Sequence, residues 1–250
     1  MSILAAILGD ILTDWRPALF NIYFAAAAIP VGFVFAILFA LGKNSPNLLI
    51  NRLSRAYIYF FRGSPFFIQL FAFYSLALAF NLSLWKPLGV DWFVLHPLFI
   101  GPAILALNTT AYSAEIFYGA LVSVPRGEIE AARAYGMTRR QRFWSVTWPS
   151  LIRLAWPAYT NEVVFLFQTT AIVYFTLPVI GDQRDLMNTA GTLYQKDYNV
   201  FLHFGVAAGY FLVISLAIFL AFGLIYRRLM RHMPQQSRLK FSWRRLAAPP

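Results

Sequence analysis

Long runs without a single charged side chain constrain this sequence more than any other feature. Ala18–Gly42 contains no Asp, Glu, Lys or Arg over 25 residues, and Gly63–Trp85 contains none over 23. A helix that crosses a bilayer needs about 20 mainly apolar residues at a rise of about 1.5 Å each, so both runs are predicted to span. Three more segments read the same way: Pro97–Val122 with one acidic residue, Glu115; Leu154–Gly181 with one, Glu162; and Tyr198–Tyr226 with none. A soluble domain carries about a quarter charged residues. This sequence has 12% charged and 59% hydrophobic residues, which argues against a water-soluble fold. The expected fold is an all-α membrane protein with five transmembrane helices.

Five crossings put the termini on opposite sides and sort the connecting segments into two sets. One set holds Lys43, Arg52, Arg55, Arg62, Arg126, Arg133, Arg139, Arg140, Arg142, Arg153 and the stretch after Tyr226, in all 17 of the 21 Lys and Arg. The other holds Arg16, Lys86, Arg184 and Lys196. Basic residues accumulate in cytoplasmic loops, so the N-terminus is expected outside and the C-terminus in the cytoplasm. Trp85, Trp92, Trp148 and Trp156 fall at span ends, as in an aromatic belt. With no internal repeat, residues 1–233 read as a single transmembrane domain and residues 234–250 as a basic cytoplasmic tail that anchors topology. Asp10 and Asp14 stand where a signal peptide would carry its small-residue cleavage site, so insertion is expected to use the mature helices.

The formal charge of +11 sits in short segments between apolar runs, a pattern that points to membrane lipid and not to nucleic acid. The sequence has no cysteine, hence no disulfide or thiolate metal site. His96, His203 and His232 show no ligand spacing, and no metal is expected.

The connection between the third and fourth spans, residues 123–149, carries the most information. Glu128 to Tyr135 is rich in helix formers and has acidic residues in its first turn, where they complement the helix dipole. Gly136 suits the left-handed conformation that ends a helix. Thr138 with Gln141 three residues on is a capping-box pattern for a second short helix, which Pro149 is expected to stop. The product is a helix-turn-helix knob on the cytoplasmic face.

Glu130-Ala131-Ala132, Gly136 and Pro149 resemble the EAA loop of ABC importer permeases, whose pattern is E-A-A-x3-G-x9-I-x-L-P. Here the pattern ends Val146-Thr147-Trp148-Pro149, with Trp in place of the aliphatic residue before proline. The resemblance covers most of the chain. Arg62-Gly63-Ser64-Pro65 followed by Gln69-Leu70-Phe71, Leu107-Asn108-Thr109 with Ala111-Tyr112, Ala114-Glu115-Ile116, and Asn161-Glu162-Val163 are similar to the polar amino acid permeases. The run Ser123 to Gly136 is most like the permeases for histidine, lysine, arginine and ornithine or the related opines.

That resemblance implies a dimer of two permeases, usually unlike paralogues, with two ATP-binding subunits below and a periplasmic or extracellular solute-binding protein outside. It implies a multi-pass protein of the inner (plasma) membrane that is not itself an enzyme. ATP and magnesium would belong to the partner ATPase subunits, with no cofactor in this chain. The sequence agrees in having no P-loop: its Gly42-Lys43 pair is followed by Asn44 and has Ile37 where the first glycine should be.

Candidate substrate residues follow from cost. An intramembrane carboxylate is disfavoured unless it is paired or lines a wet cavity, which singles out Glu115 and Glu162. Arg62, Arg126 and Arg153 are possible structural partners for either. Gln69 and Asn161 offer both donor and acceptor atoms to a zwitterion, or alternatively adhesion between helices. Ser64-Pro65 reads as a helix start, with Ser64 as cap. Pro178 and Gly181 mark the end of the fourth span. Two other classes fit less well. A self-contained secondary transporter or channel lacks the expected inverted repeat and has no need of a docking loop. A membrane enzyme would need a His-rich cluster or a nucleophile-base pair, and the sequence offers neither.

Overall fold

The computed structural model describes residues 15–178 and 184–231, and within these the chain is helical, with no strand. Helix α1 (Arg16–Lys43) opens with Pro17, whose missing N–H is no loss in a first turn, and closes with Lys43 at the negative end of the helix dipole. Its 28 residues extend about 42 Å.

Helix α2 (Leu48–Gly63) starts on Asn47, whose Oδ1 accepts from the N–H groups of Leu49 at 3.0 Å and Ile50 at 3.3 Å. It folds back along α1. The Asn51 amide donates to the Lys43 carbonyl, and the rings of Phe39 and Tyr57 stack with centroids 4.1 Å apart. Arg52, Arg55 and Arg62 give this stretch the sequence character of a cytoplasmic connection. Those charges hide a helical stripe, since Ser54, Ile58 and Phe61, spaced i, i+4, i+7, are the residues α2 buries.

The chain then breaks at Gly63-Ser64-Pro65 before α3 (Phe66–Ala79). Ser64 is not the cap of α3: its hydroxyl donates to the Phe60 carbonyl at 2.8 Å and so closes α2, leaving Pro65 at the N-cap. A π-helical turn, Asn81–Trp85, and α4 (Asp91–Val94) lead to α5 (Pro97–Val122), whose bounds match the expected third span.

After α5 come α6 (Arg126–Ala134) and α7 (Arg139–Arg142), then a π-helical turn (Phe143–Thr147) and α8 (Trp148–Thr169), which tightens into a 3-10 stretch at Thr170–Phe175. Pro149 does not stop the second short helix. It sits in the first turn of α8, where proline is tolerated, and the backbone runs on from α7 through the π turn without leaving helical geometry. Helix α9 (Leu186–Asp197) lies within what the sequence suggested was a plain external loop, and α10 (Val200–Leu229) ends the described chain. Gly181, His232 and the tail 234–250 lie outside the described residues.

Helices α1 and α5 form the centre. Their close approach depends on a small residue: a β-carbon on Gly101 would collide with the ring of Phe24. One core cluster gathers Phe24, Leu70, Ile104, Leu105, Leu166 and Leu177 toward the end where α1 begins. The other gathers Ala36, Ala40, Ile58, Phe117, Leu151 and Tyr159 toward the end where α1 stops. Outside these clusters the surface is strongly apolar. Phe201 is 95% exposed, Leu212 72% and Val213 65%, more apolar surface than a water-facing protein sustains. Among the described residues α1 and α10 are the two continuous helices long and apolar enough to cross a bilayer.

Candidate functional site

The break between α2 and α3 is held by a buried amide network. Gln69, on the first turn of α3, donates through Nε2 to the carbonyls of Phe61 at 2.7 Å and Ser64 at 2.8 Å. Its Oε1 accepts from Asn108 of α5 at 2.9 Å. These bonds satisfy carbonyls freed where α2 ends, which buried without partners would be costly. Gln69 therefore acts inside the protomer.

Glu162 is buried on α8 and accepts a hydrogen bond from the Thr109 hydroxyl of α5 at 3.0 Å. Among the described residues no cation lies within ion-pair distance of it. Asn161 is its neighbour in sequence but not in direction. Successive helix positions turn by about 100°, and Asn161 lies on an exposed stripe with Leu154, Ala158, Phe165 and Gln168. Its side chain makes no hydrogen bond within the described chain.

Glu115 has a different setting. Lys43, the last residue of α1, donates to both of its carboxylate oxygens, at 2.7 and 2.5 Å, and Arg62 Nη1 stands 3.8 Å away. The Lys43 ammonium also lies 4.2 Å from the centroid of the Tyr118 ring. Arg62 was among the partners anticipated from sequence; Lys43, counted there as a topology signal, was not. Its position immediately after the apolar run was the available clue. Asn108 and Thr109 stood in a quoted motif, but spacing alone did not tie them to Gln69 and Glu162, which lie 39 and 53 residues away.

The loop 123–149 has the anticipated local geometry. Gly136 has φ +76°. Its N–H donates to the Arg133 carbonyl at 2.9 Å and that of Met137 to the Ala132 carbonyl at 3.1 Å, the paired bonds of a Schellman ending. Thr138 and Gln141 form a reciprocal capping box, with bonds of 2.9 and 3.3 Å. Ala132 is buried while Glu130 and Ala131 are exposed. The Ser150 hydroxyl donates to Glu128 at 3.0 Å and ties α6 to the base of α8. Trp148, the departure from the loop pattern, packs its ring 5.7 Å from that of Trp144 and 6.2 Å from that of Phe143. An aromatic cluster replaces the aliphatic contact.

Two polar layers inside an apolar bundle, and a capped knob continuous with one of its helices, define a membrane transport component. Residues 28–236 match the family described as binding-protein-dependent transport system inner membrane component, and the chain belongs to that family. It is 36% identical over 219 residues to the histidine/lysine/arginine/ornithine transport system permease protein HisM of Salmonella typhimurium, covering 85% of this chain and 88% of that one. It is 31% identical over 199 residues to the nopaline transport system permease protein NocM of Agrobacterium fabrum, covering 78% of each. A crystal structure of an amino acid ABC transporter with histidines superposes with a TM-score of 0.69 at 25% identity, over 91% of this chain and 99% of that one. The expectation of an inner-membrane ABC importer permease that is not itself an enzyme is therefore met, and the self-contained transporter or channel is not favoured.

Proposed function

We propose that this chain forms the path for a polar amino acid with a cationic side chain, or an opine, received from a solute-binding protein. The observation that carries this reading is Asn161, an exposed amide without an internal partner in the middle of an apolar helix. Such a group facing acyl chains would be strongly disfavoured, so its face of α8 meets water, cargo or a second subunit. Glu162, one position on, supplies negative charge close behind that face. Gln69 sets the shape of the broken α2–α3 crossing, and Glu115 with Lys43 closes the cytoplasmic side. The relatives support the cargo class, since HisM is a permease for histidine, lysine, arginine and ornithine and NocM for nopaline.

In this reading the working complex pairs the chain with a paralogous permease and adds two ATP-binding subunits, which hold ATP and magnesium. Five crossings result, with α2 and α3 together making the second, the N-terminus outside and the C-terminal tail in the cytoplasm. The knob at Glu130, Ala131, Ala132 and Gly136, rooted at Pro149, docks on the ATPase.

The direct test is purification of the complex followed by uptake of a panel of radiolabelled amino acids into proteoliposomes. ATPase subunits should co-elute, and cationic amino acids or opines should be accumulated. Absence of both sinks the reading. For topology, a reporter after Arg245 should be cytoplasmic and one at the N-terminus external; the reverse would remove the docking argument. For coupling, Gly136→Val places a β-branched residue at positive φ and should strain the knob by about 1–2 kcal/mol. The helices should still insert while ATPase attachment weakens, as read by co-purification.

A further inference from the structure

One charged cleft has neither Glu162 nor Asn161 in its lining. Lys43, Arg55, Tyr59, Arg62, Tyr112 and Glu115 line an open space of about 620 Å³ between the end of α1, the outer face of α2 and α5. That is within the roughly 300–1,000 Å³ of small-molecule sites. Its charges do not balance. Lys43 and Glu115 neutralise each other through two short hydrogen bonds. Arg62 is 3.8 Å from the same carboxylate, and its side chain remains 42% exposed. Arg55, also in the lining, gives its Nε to Asn51 at 2.7 Å and makes no ion pair among the described residues. The lining thus holds three cationic side chains against one carboxylate, with Arg62 also acting on Glu162 from a distance. Positions 55, 59 and 62 share one face of α2, with the arginines about 10 Å apart along the axis.

Depth decides what this face meets. Ser54 of α2 is level with Gly42, near the end of α1. Arg62 lies about two turns further in, with its guanidinium 5.5 Å from the centroid of the Tyr112 ring. Tyr112 is about 15 Å from the end of α5. An arginine that far from the interface is strongly disfavoured against acyl chains and belongs to a wet or subunit-lined space. A lipid headgroup would sit nearer the end of α1. A cargo amino acid, which carries a carboxylate whatever its side chain, fits the depth, the volume and the excess positive charge. The guanidinium fork matches a carboxylate with two parallel bonds.

We propose that this cleft is an inner station of the path, where Arg62, assisted by Arg55, holds the α-carboxylate of the cargo about one turn to the cytoplasmic side of the Thr109–Glu162 contact. The proposal rests on the reading of this chain as an amino acid path. It separates the labour: Glu162 responds to the side chain of the cargo, and Arg62 to the carboxylate that all amino acids share.

The test uses the complete complex in proteoliposomes, with L-arginine and L-glutamine as probes. Arg62→Gln should lower initial uptake of both to the same extent, by about tenfold or more, as expected for loss of a charge-assisted pair. Arg62→Lys should recover part of it, because a point charge remains without the fork. Agmatine, which is arginine without its carboxylate, should fail to compete with L-arginine for the detergent-solubilised wild-type complex. Uptake within about twofold of wild type in Arg62→Gln, loss for L-arginine alone, or competition by agmatine as strong as by L-arginine would overturn the station. Should Arg62→Gln fail to co-purify with its partners, Arg55→Gln takes its place. An equal fall for both probes supports the station and wild-type uptake overturns it. A wild-type complex that moves no amino acid would instead overturn the path itself.

Discussion

Glu115 and Glu162 are both single acidic residues in long apolar helices, and the structure treats them in opposite ways. Glu115 on α5 stands in an open cleft against Lys43, with Arg62 beyond. Glu162 on α8 is buried against one hydroxyl, that of Thr109. The first is a completed ion pair, in which removing either partner leaves a charge behind. The second makes no ion pair among the described residues, and Arg62 acts on it only from a distance. A third acidic residue, Asp185, sits outside the spans at the start of α9, and its carboxylate caps the Asn188 N–H at 2.6 Å. Burial pushes its pKa up to about 6, opposed by the N–H groups of Asn188 and Met187. Carboxylates that look alike in sequence thus serve as partner, candidate reader and cap.

The largest effect should come from Lys43→Met. It leaves Glu115 with Arg62 alone at 3.8 Å and should cost the complex about 3 kcal/mol of stability, the low end for a broken pair because Glu115 is one-third exposed. Lys43→Met combined with Glu115→Gln should return most of that loss in a thermal-unfolding cycle. Additive losses would show that the two do not act as a pair.

Asp185 gives the next effect. Its folded pKa is above its ordinary 3.8, so the fold prefers the protonated acid. That contribution is fully present below about pH 4 and is lost as pH rises through about 6, amounting to at most about 3 kcal/mol. Asp185→Asn keeps a neutral cap and should flatten the pH dependence of the melting temperature over that window. An unchanged slope would remove Asp185 from the account.

Glu162→Gln should give the smallest change in free energy but the most selective one. With assembly retained, uptake of cationic amino acids should fall about fivefold relative to neutral ones, about 1 kcal/mol. Dissociation of the complex, or an equal fall for all cargos, would place Glu162 with Glu115 as a structural acid.

The helices that could be read from sequence were those whose signal is local. The bounds of α5, the left-handed Gly136 and the Thr138–Gln141 box each depend on residues within a turn of one another, and each has its expected form. Helix α2 was obscured because its arginines lower the average hydropathy that marks a span, while its buried stripe has one residue per turn. Pro149 misled for a related reason: proline ends a helix from within but is welcome in a first turn, and the sequence does not say which turn it occupies. At the candidate site, residue types that tolerate burial poorly were visible as such. Their partners were not, because Lys43 and Glu115 are 72 positions apart and Asn161 and Glu162 differ only in helical angle.

The π turn at Phe143–Thr147 has a consequence for how such a permease can be retuned. Relative to an α-helix, a π turn holds one additional residue, and one residue corresponds to about 100° of rotation for all that follows. The knob at Gly136 and the face bearing Asn161 are joined through this turn with no flexible linker between them. The angle between the knob and the face bearing Asn161 is thus set by a residue count. A single-codon deletion there would re-aim α8 while leaving both surfaces chemically unchanged.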